Sequence, residues 1–212
     1  MNLVFDNVKT LDPTSRFVGS TTFIVGGGSS LKGFPFKDLT GRCVIGVNEA
    51  FRLGSATVPI TIFGDATWFH RVKWDLERYT GKVVCVAPSL AGIQAKWLTK
   101  LRRVKEGLGS SDSLPWYAST GSSAIALAIQ LGALRVVLLG FDMLRIKNNT
   151  HWHNYGRRRT DEKAFARHIE GMGMLAEEIR KNSSVDVINL TNESRIDAFP
   201  KVSMDRFKEF LT

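Results

Sequence analysis

Six short, β-branched apolar runs constrain most strongly what this 212-residue chain can fold into. The runs are almost continuously apolar rather than apolar at alternate positions, and most are followed directly by a glycine, an asparagine or an Ala-Pro pair. A continuous apolar run is typical of a strand that is covered on both faces, as in a parallel sheet. The sequence therefore predicts strands at 22–25, 43–47, 59–63, 83–86, 136–139 and 185–190.

Amphipathic segments lie between these runs. Apolar residues recur every three or four positions over 69–79 and 165–179, and an Ala- and Leu-rich segment covers about 121–131. These periods predict helices, and we expect Thr160 to cap the helix over 165–179. The alternation predicts an α/β fold: a single Rossmann-like domain over 1–212, with a mostly parallel sheet and helices on both faces.

Three segments fall outside this alternation. Residues 1–20 form an N-terminal extension, and 143–160 form a basic loop that we expect to lie in the active site. A further irregular segment covers 105–117. Long irregular segments in compact domains are often functional.

The charge of the chain narrows the choice of partner. Twenty-nine Lys and Arg residues against 20 Asp and Glu give a net charge of +9, which favours a nucleotide, a nucleic acid or a phosphorylated substrate. No run approaches the roughly 20 apolar residues of a membrane span, and the first residues lack the pattern of a secretory signal. The two cysteines, Cys43 and Cys85, lie in predicted strands. We expect two buried thiols, no disulfide framework and a cytoplasmic location.

A glycine-rich turn follows the first predicted strand. Glycine lets the backbone approach a ligand, and backbone N–H groups with two hydroxyls suit a phosphate. The spacing is neither that of the dinucleotide fingerprint nor that of a P-loop. The turn is either a nucleotide-binding loop or a tight connection, and its residues are Gly26, Gly27, Gly28, Ser29 and Ser30.

A second cluster of small polar residues opens the Ala-rich helix. It consists of Ser119, Thr120, Gly121, Ser122 and Ser123. One hydroxyl is enough to cap a helix, whereas several hydroxyls at the positive end of the helix dipole suit a phosphate. Capping alone and nucleotide binding both remain open.

The basic loop carries two histidines at alternate positions. In an extended segment His151 and His153 point to one face, which suits a general base near neutral pH and, less specifically, a metal ion. Tyr155, Arg157 and Arg158 are candidates for binding a phosphate or an acceptor. The alternative is a solvated loop with incidental histidines.

Further candidates stand at strand ends and in loops. Asn48, Asp65 and Asp142 each follow a predicted strand, at the edge where such sheets bind ligands. Each could contact a nucleotide or simply bond to loop N–H groups. Trp116 and Trp152 lie in predicted loops and are candidates for stacking on a base or a sugar.

Two blocks of the sequence resemble a known family. They resemble the nucleotide-binding segments of small bacterial sialyltransferases, and their sequences are FIVGGGSSLKGFPFKDLTGRCVIGVNEAF and STGSSAIALAIQLGALRVVLLGFDM. In that family a G-x-G-P-S-L loop, a strand ending in Asn, a T-S-G or S-S-G helix start and a G-x-D motif follow in this order. A broader group is similar too, including archaeal hydroxymethylpterin diphosphokinase-like proteins and bacteriophage proteins that share GFDM followed by T-H-W-H. The resemblance covers about 21–181.

The resemblance implies roles for individual residues. The general base would be a histidine before the last long helix, with His153 preferred to His151. The first loop departs from the family at Gly27 and Ser29, and the tyrosines that hold the leaving phosphate have no evident counterpart after Asp142. The identity of the sugar is therefore left open. The positions that match the family's nucleotide and donor contacts are Gly26, Gly28, Ser30, Asn48, Ser119, Thr120 and Gly121, and Asp142 matches its strand-end motif.

These observations together predict a glycosyltransferase that moves a sugar from a nucleotide-sugar donor to a hydroxyl acceptor. The positive charge and the phage-like blocks favour a hydroxymethylated pyrimidine in phage DNA as one acceptor. The first alternative is a Mg²⁺- and ATP-dependent diphosphokinase acting on a hydroxymethyl heterocycle, with Asp65 and Asp142 as metal ligands. The second is a nucleotide- or nucleic-acid-binding module without catalysis. The donor is a co-substrate, no cofactor is firmly implied, and the oligomeric state is left open.

Overall fold

The structure is a computed structural model that describes residues 15–145, 150–155 and 161–211. All six predicted strands are confirmed, and their ends differ from prediction by one residue at most. The strands of the described residues are β1 (Thr21–Val25), β2 (Cys43–Val47), β3 (Ile60–Phe63), β4 (Lys82–Cys85), β5 (Leu98–Lys100), β6 (Arg102–Val104), β7 (Ser113–Pro115), β8 (Arg135–Leu139) and β9 (Asp186–Asn189).

Seven of these strands form one sheet in the order β5-β4-β3-β2-β1-β8-β9. Every neighbouring pair is parallel, and at the centre Phe23 is in register with Val44 and with Val137. These central side chains are buried on both faces of the sheet. The continuous apolar runs arise from this double burial, and the α/β, Rossmann-like fold is confirmed.

Helices cover both faces of the sheet. They are α1 (Ala66–Glu77), α2 (Thr120–Gln130) and α3 (Glu162–Asn182), close to the predicted ranges. One face, with Ile24 and Leu138, packs against α2 and α3. The opposite face packs against α1 at Phe63 and against short 3-10 segments at Phe23.

Two local predictions are corrected. The segment over 105–117 is not wholly irregular, because it contains β7, which pairs in parallel with β6 as a separate two-stranded sheet. A three-residue strand is too short to show a period in sequence. The N-cap of α3 is Asp161, whose carboxylate accepts a hydrogen bond from the Ala164 N–H at 2.7 Å. The predicted cap, Thr160, lies outside the described residues.

The strand order reverses beside β1. From β1 the chain adds β2 to β5 on one side, then returns through α2 to place β8 on the other side. In open α/β sheets the crevice at such a reversal, beyond the carboxyl ends of the strands, is where ligands bind. The glycine-rich turn after β1 and the segment after β8 meet there, since Gly28 N–H donates to Gly140 C=O at 2.8 Å.

Both cysteines are free thiols. Cys85 is buried as predicted, whereas Cys43 is half-buried, and its sulfur donates to the carbonyl oxygen of Arg16 at 3.0 Å. Cys43 is less enclosed because it is the first residue of its strand. None of the helices in the described ranges has the length and apolarity needed to span a membrane.

Two glycines in α3 should respond oppositely to alanine. Nothing lies within 4 Å of a β-carbon at Gly173, so Gly173→Ala should stabilise the protein by about 0.5–1 kcal/mol through helix propensity. A β-carbon at Gly171 would overlap the carbonyl group of Tyr117, so Gly171→Ala should cost about 1–3 kcal/mol. Urea unfolding midpoints measure both effects, and equal midpoints for the two variants would contradict this packing of α3.

Candidate active site

A cavity of about 870 Å³ opens at the crevice beside β1. Its size lies within the range of about 300–1,000 Å³ that is common for small-molecule sites. Its wall is formed by residues that follow β1, β2, β3, β7 and β8, by residues of α1, α2 and α3, and by the segment 150–155, which we call the histidine loop. Its members among the predicted site residues are Gly26, Gly27, Gly28, Asn48, Asp65, Trp116, Ser119, Thr120, Gly121, Asp142, His151, His153 and Tyr155.

Asp142 anchors the glycine-rich turn from behind. Its Oδ2 accepts the Ser30 N–H at 2.8 Å, and its Oδ1 accepts the Ser30 hydroxyl at 2.5 Å. Ser29 is buried and also bonds to this carboxylate. The expectation that Ser29 and Ser30 line the ligand site is therefore corrected: Asp142 takes up their hydroxyls, and only the glycines reach the cavity.

The small polar residues at the start of α2 also fall into two groups, one that bonds within the protein and one that lines the cavity. Ser119 is the N-cap, and its hydroxyl accepts the Ser122 N–H at 3.1 Å. The Ser122 hydroxyl donates to the Ser119 carbonyl at 2.6 Å and accepts the Tyr117 N–H at 3.1 Å. Ser122 is fully buried and off the cavity wall, so its predicted ligand role is corrected to a structural one. Ser119, Thr120 and Gly121 remain at the positive end of the helix, on the cavity wall.

The histidine loop alternates its side chains as predicted. His151 and His153 both line the cavity, with ring centroids 5.2 Å apart. His151 lies against Gly27, and Thr150 Oγ1 is 2.7 Å from its Nδ1. Trp152 points the other way and packs on Phe36, with ring centroids 4.8 Å apart. Its Nε1–H donates to the Gly26 carbonyl at 3.0 Å. Trp152 therefore braces the glycine-rich turn, and its predicted stacking role is corrected.

Burial keeps both of these imidazoles uncharged near neutral pH. It lowers the pKa of His151, against the opposing effect of the negative charges of Asp142 and Glu49. For His153, burial and the charge of His151 lower the pKa to about 4. An uncharged imidazole can accept a proton, which is what a general base requires.

The two predicted metal-ligand candidates both hold backbone groups. Asp65 caps α1, accepting the N–H groups of Thr67 at 2.7 Å and Trp68 at 3.1 Å. Burial raises the pKa of Asp142, partly offset by its hydrogen bonds to Ser30. Within the described ranges, no group of three or more His, Cys, Asp or Glu side chains is placed to hold a metal ion.

Backbone strain concentrates on the cavity wall. Among the described residues, the non-glycine positions with positive φ are Asn48 (52°), Ala118 (58°) and Met143 (51°), and all three line the cavity. Such conformations cost free energy and cluster at functional sites. In addition, Asn48 Oδ1 is buried without a hydrogen-bond partner in the described part of the chain. A buried acceptor without a donor is uncommon and is a natural contact for a ligand N–H or O–H.

Sequence reasoning missed several residues of the wall. Glu49, Arg71 and His168 all line the cavity, and burial lowers the pKa of His168. His168 lies within the amphipathic helix α3, and the sequence alone does not distinguish it from a surface residue of that helix. Glu49 directly follows Asn48, and that adjacency was the one available signal.

The remaining predicted residues differ in how far the structure describes them. Trp116 lies on the wall with the Arg103 guanidinium 3.6 Å from its ring centroid. Tyr155 is half-exposed at the cavity mouth. Arg157 and Arg158 lie outside the described residues.

Comparison with known proteins leaves the family of this chain open. No protein-family model matches it, and no curated protein matches it at a significant level. The residues of the cavity therefore carry the functional inference.

Proposed function

We propose that this protein is a glycosyltransferase that moves a sugar from a nucleotide-sugar donor to a hydroxyl acceptor. The observation that supports this most directly is that an uncharged imidazole, His151, lies against the glycine-rich turn and lines the same cavity as the N-terminus of α2. A nucleotide site and a general base are thus adjacent. The two sequence blocks that resemble small bacterial sialyltransferases supply the two sides of this nucleotide site.

The donor nucleotide is assigned to the wall formed by β1, β2 and α2. Asn48 Oδ1 offers an acceptor to an N–H or O–H of the base or ribose. The backbone of Gly26–Gly28 and the positive end of α2, with Ser119 and Thr120, suit the phosphates.

His151 is assigned as the general base. It takes the proton of the acceptor hydroxyl while the hydroxyl oxygen bonds to the anomeric carbon and the bond from that carbon to the donor phosphate breaks. The charges of Asp142 and Glu49 favour the imidazolium that forms. His153, preferred from sequence, is the weaker base because its pKa is about 4. The departing phosphate is stabilised by the N-terminus of α2.

The acceptor proposed is a hydroxymethylated pyrimidine in DNA. The net charge of +9 suits a polyanion. A target base has to leave the stack to enter the cavity, where Trp116 offers an aromatic surface. The free thiols suit a reducing cytoplasm, where DNA is present.

A thermal-shift panel tests the proposal. The ligands are CMP, CDP, UDP, GDP, ATP and the available sugar conjugates, each with and without Mg²⁺, and bound ligand raises the melting temperature by mass action. We expect one nucleotide and its sugar conjugate to stabilise the wild type, and Asn48→Ala to lose most of that shift. Stabilisation by Mg-ATP alone would replace the transferase by a diphosphokinase. If no ligand of the panel stabilised the protein and the protein bound DNA, a binding module without catalysis would replace the transferase as the proposed function.

A further inference from the structure

A buried carboxylate beside the cavity holds two arginines. Glu49 is 4% exposed. Its Oε1 accepts Trp68 Nε1–H at 3.0 Å and Arg71 Nη2–H at 2.8 Å, while its Oε2 accepts Arg52 Nε–H at 2.8 Å. A buried charge needs such partners, and in return it fixes their positions. Glu49 therefore works as a rigid anchor for the guanidinium groups around it.

Arg71 is the arginine that this anchor presents to the cavity. Among the described residues it is the one Lys or Arg on the cavity wall, and its side chain is 51% exposed. The guanidinium group has five N–H donors in a planar fork, and Glu49 engages it through Nη2. The rest of the fork is open to a ligand with two acceptor oxygens, and the anchoring reduces the entropy lost when that ligand binds.

Arg52 has a different environment, which separates its role from that of Arg71. It pairs with Asp75 at 2.8 Å in addition to Glu49, and its guanidinium carbon lies 4.8 Å from the ring centroid of Tyr155. Tyr155 in turn stacks on His153 with centroids 5.7 Å apart. Arg52 thus supports the histidine loop, and Arg71 is left to face the ligand.

We infer that Arg71 is a phosphate-binding residue of the cavity, with Glu49 as its positioning residue, and that the ligand carries a phosphate or diphosphate group. The identification of that ligand as a nucleotide rests on the proposed function. The anion site itself does not depend on it. The Arg71 fork binds two phosphate oxygens on the α1 side of the cavity. The donor phosphate then lies between Arg71 and the N-terminus of α2.

Isothermal titration calorimetry with inorganic pyrophosphate tests the site directly. We expect the wild type to bind pyrophosphate and Arg71→Gln to weaken binding by about tenfold or more, the loss of one charged hydrogen-bond pair. Arg78→Gln is the matched control, because Arg78 is an exposed arginine directly after the last residue of α1, off the cavity wall. Wild-type affinity in Arg71→Gln, or no pyrophosphate binding by the wild type, would overturn the inference.

A double-variant comparison tests the positioning role of Glu49. Glu49→Gln should weaken pyrophosphate binding when Arg71 is present and have no further effect in Arg71→Gln. Equal effects of Glu49→Gln in both backgrounds would show a merely structural role. Arg71 is half-exposed, so Arg71→Gln should remain folded, and thermal melting verifies this.

Nucleotide binding to the same variants, measured beside the pyrophosphate titrations, separates this inference from the proposed function. If a nucleotide binds equally to the wild type and to Arg71→Gln, the proposed function stands and the phosphate role of Arg71 falls. If pyrophosphate binding depends on Arg71 while no nucleotide stabilises the protein, the anion site stands and the proposed function falls.

Discussion

Replacing His151 by alanine is expected to slow the proposed sugar transfer by about 10²- to 10⁴-fold while leaving the donor bound. The imidazole lies against Gly27, on the wall that we assign to the donor, and Thr150 Oγ1 is 2.7 Å from its Nδ1. Alanine removes the proton acceptor but none of the nucleotide contacts proposed for Asn48 and the start of α2. Initial rates at saturating donor, with the nucleotide identified by thermal shift, give the loss in kcat.

The pH dependence of the rate should follow the uncharged form of His151. Burial lowers the pKa of His151 below its ordinary value of 6.5. The base is therefore available at neutral pH, and the rate should be level from pH 7 upward and fall as the pH drops through the lowered pKa. His151→Ala should lose this acid limb. A rate that rises on acidification would contradict a general base.

Two other histidines serve as comparisons. His70 is exposed on α1 and lies off the cavity wall, so His70→Ala should retain the wild-type rate. His153→Ala should have a smaller effect than His151→Ala, because a pKa of about 4 makes His153 a poor proton acceptor. If the larger loss occurred at His153, the roles assigned to the two histidines would be reversed.

The elements of the fold that are buried on two faces could be predicted from the sequence. The strand of Cys43–Val47 is one apolar run because it packs against α2 on one side of the sheet and against short 3-10 segments on the other. α2 is Ala-rich because it lies against that sheet. The edge of the sheet at which the crevice lies could also be predicted, because the carboxyl ends of parallel strands lie at the same edge. Elements without such a signal were missed, as with β6 and β7, whose three residues each show no period.

The direction in which polar side chains point could not be predicted. Ser30 lies in the glycine-rich turn and Ser122 in the first turn of α2. Nothing in the sequence around either residue distinguishes a hydroxyl that faces a ligand from one that bonds to another group of the protein. The structure shows the second arrangement for both, because Asp142 and the Ser119 carbonyl lie within reach. Glu49 was missed for the converse reason: a carboxylate is rarely buried, and its partners Trp68 and Arg71 are distant in sequence.

Replacing Gly28 by alanine is expected to destabilise the protein by about 2–4 kcal/mol. A β-carbon at this position would lie 2.6 Å from Asp142 Oδ2 and 2.5 Å from its Cγ. Asp142 is buried and holds Ser30 through both oxygens, so a shift of its carboxylate breaks these hydrogen bonds. Either the carboxylate gives up Ser30 or the glycine-rich turn separates from β8. Urea unfolding monitored by tryptophan fluorescence measures the loss.

Because the turn also belongs to the wall that we assign to the donor, Gly28→Ala should lower nucleotide affinity even where the protein remains folded. Gly92→Ala is the matched control: nothing lies within 4 Å of a β-carbon there and the residue is exposed, so stability and binding should both stay within error of the wild type. A Gly28→Ala protein as stable as the control would mean that Asp142 does not hold the turn in the way described. If it were stable and also bound nucleotide normally, the glycine-rich turn would no longer support the donor site, and Asn48 with the N-terminus of α2 would have to account for nucleotide binding alone.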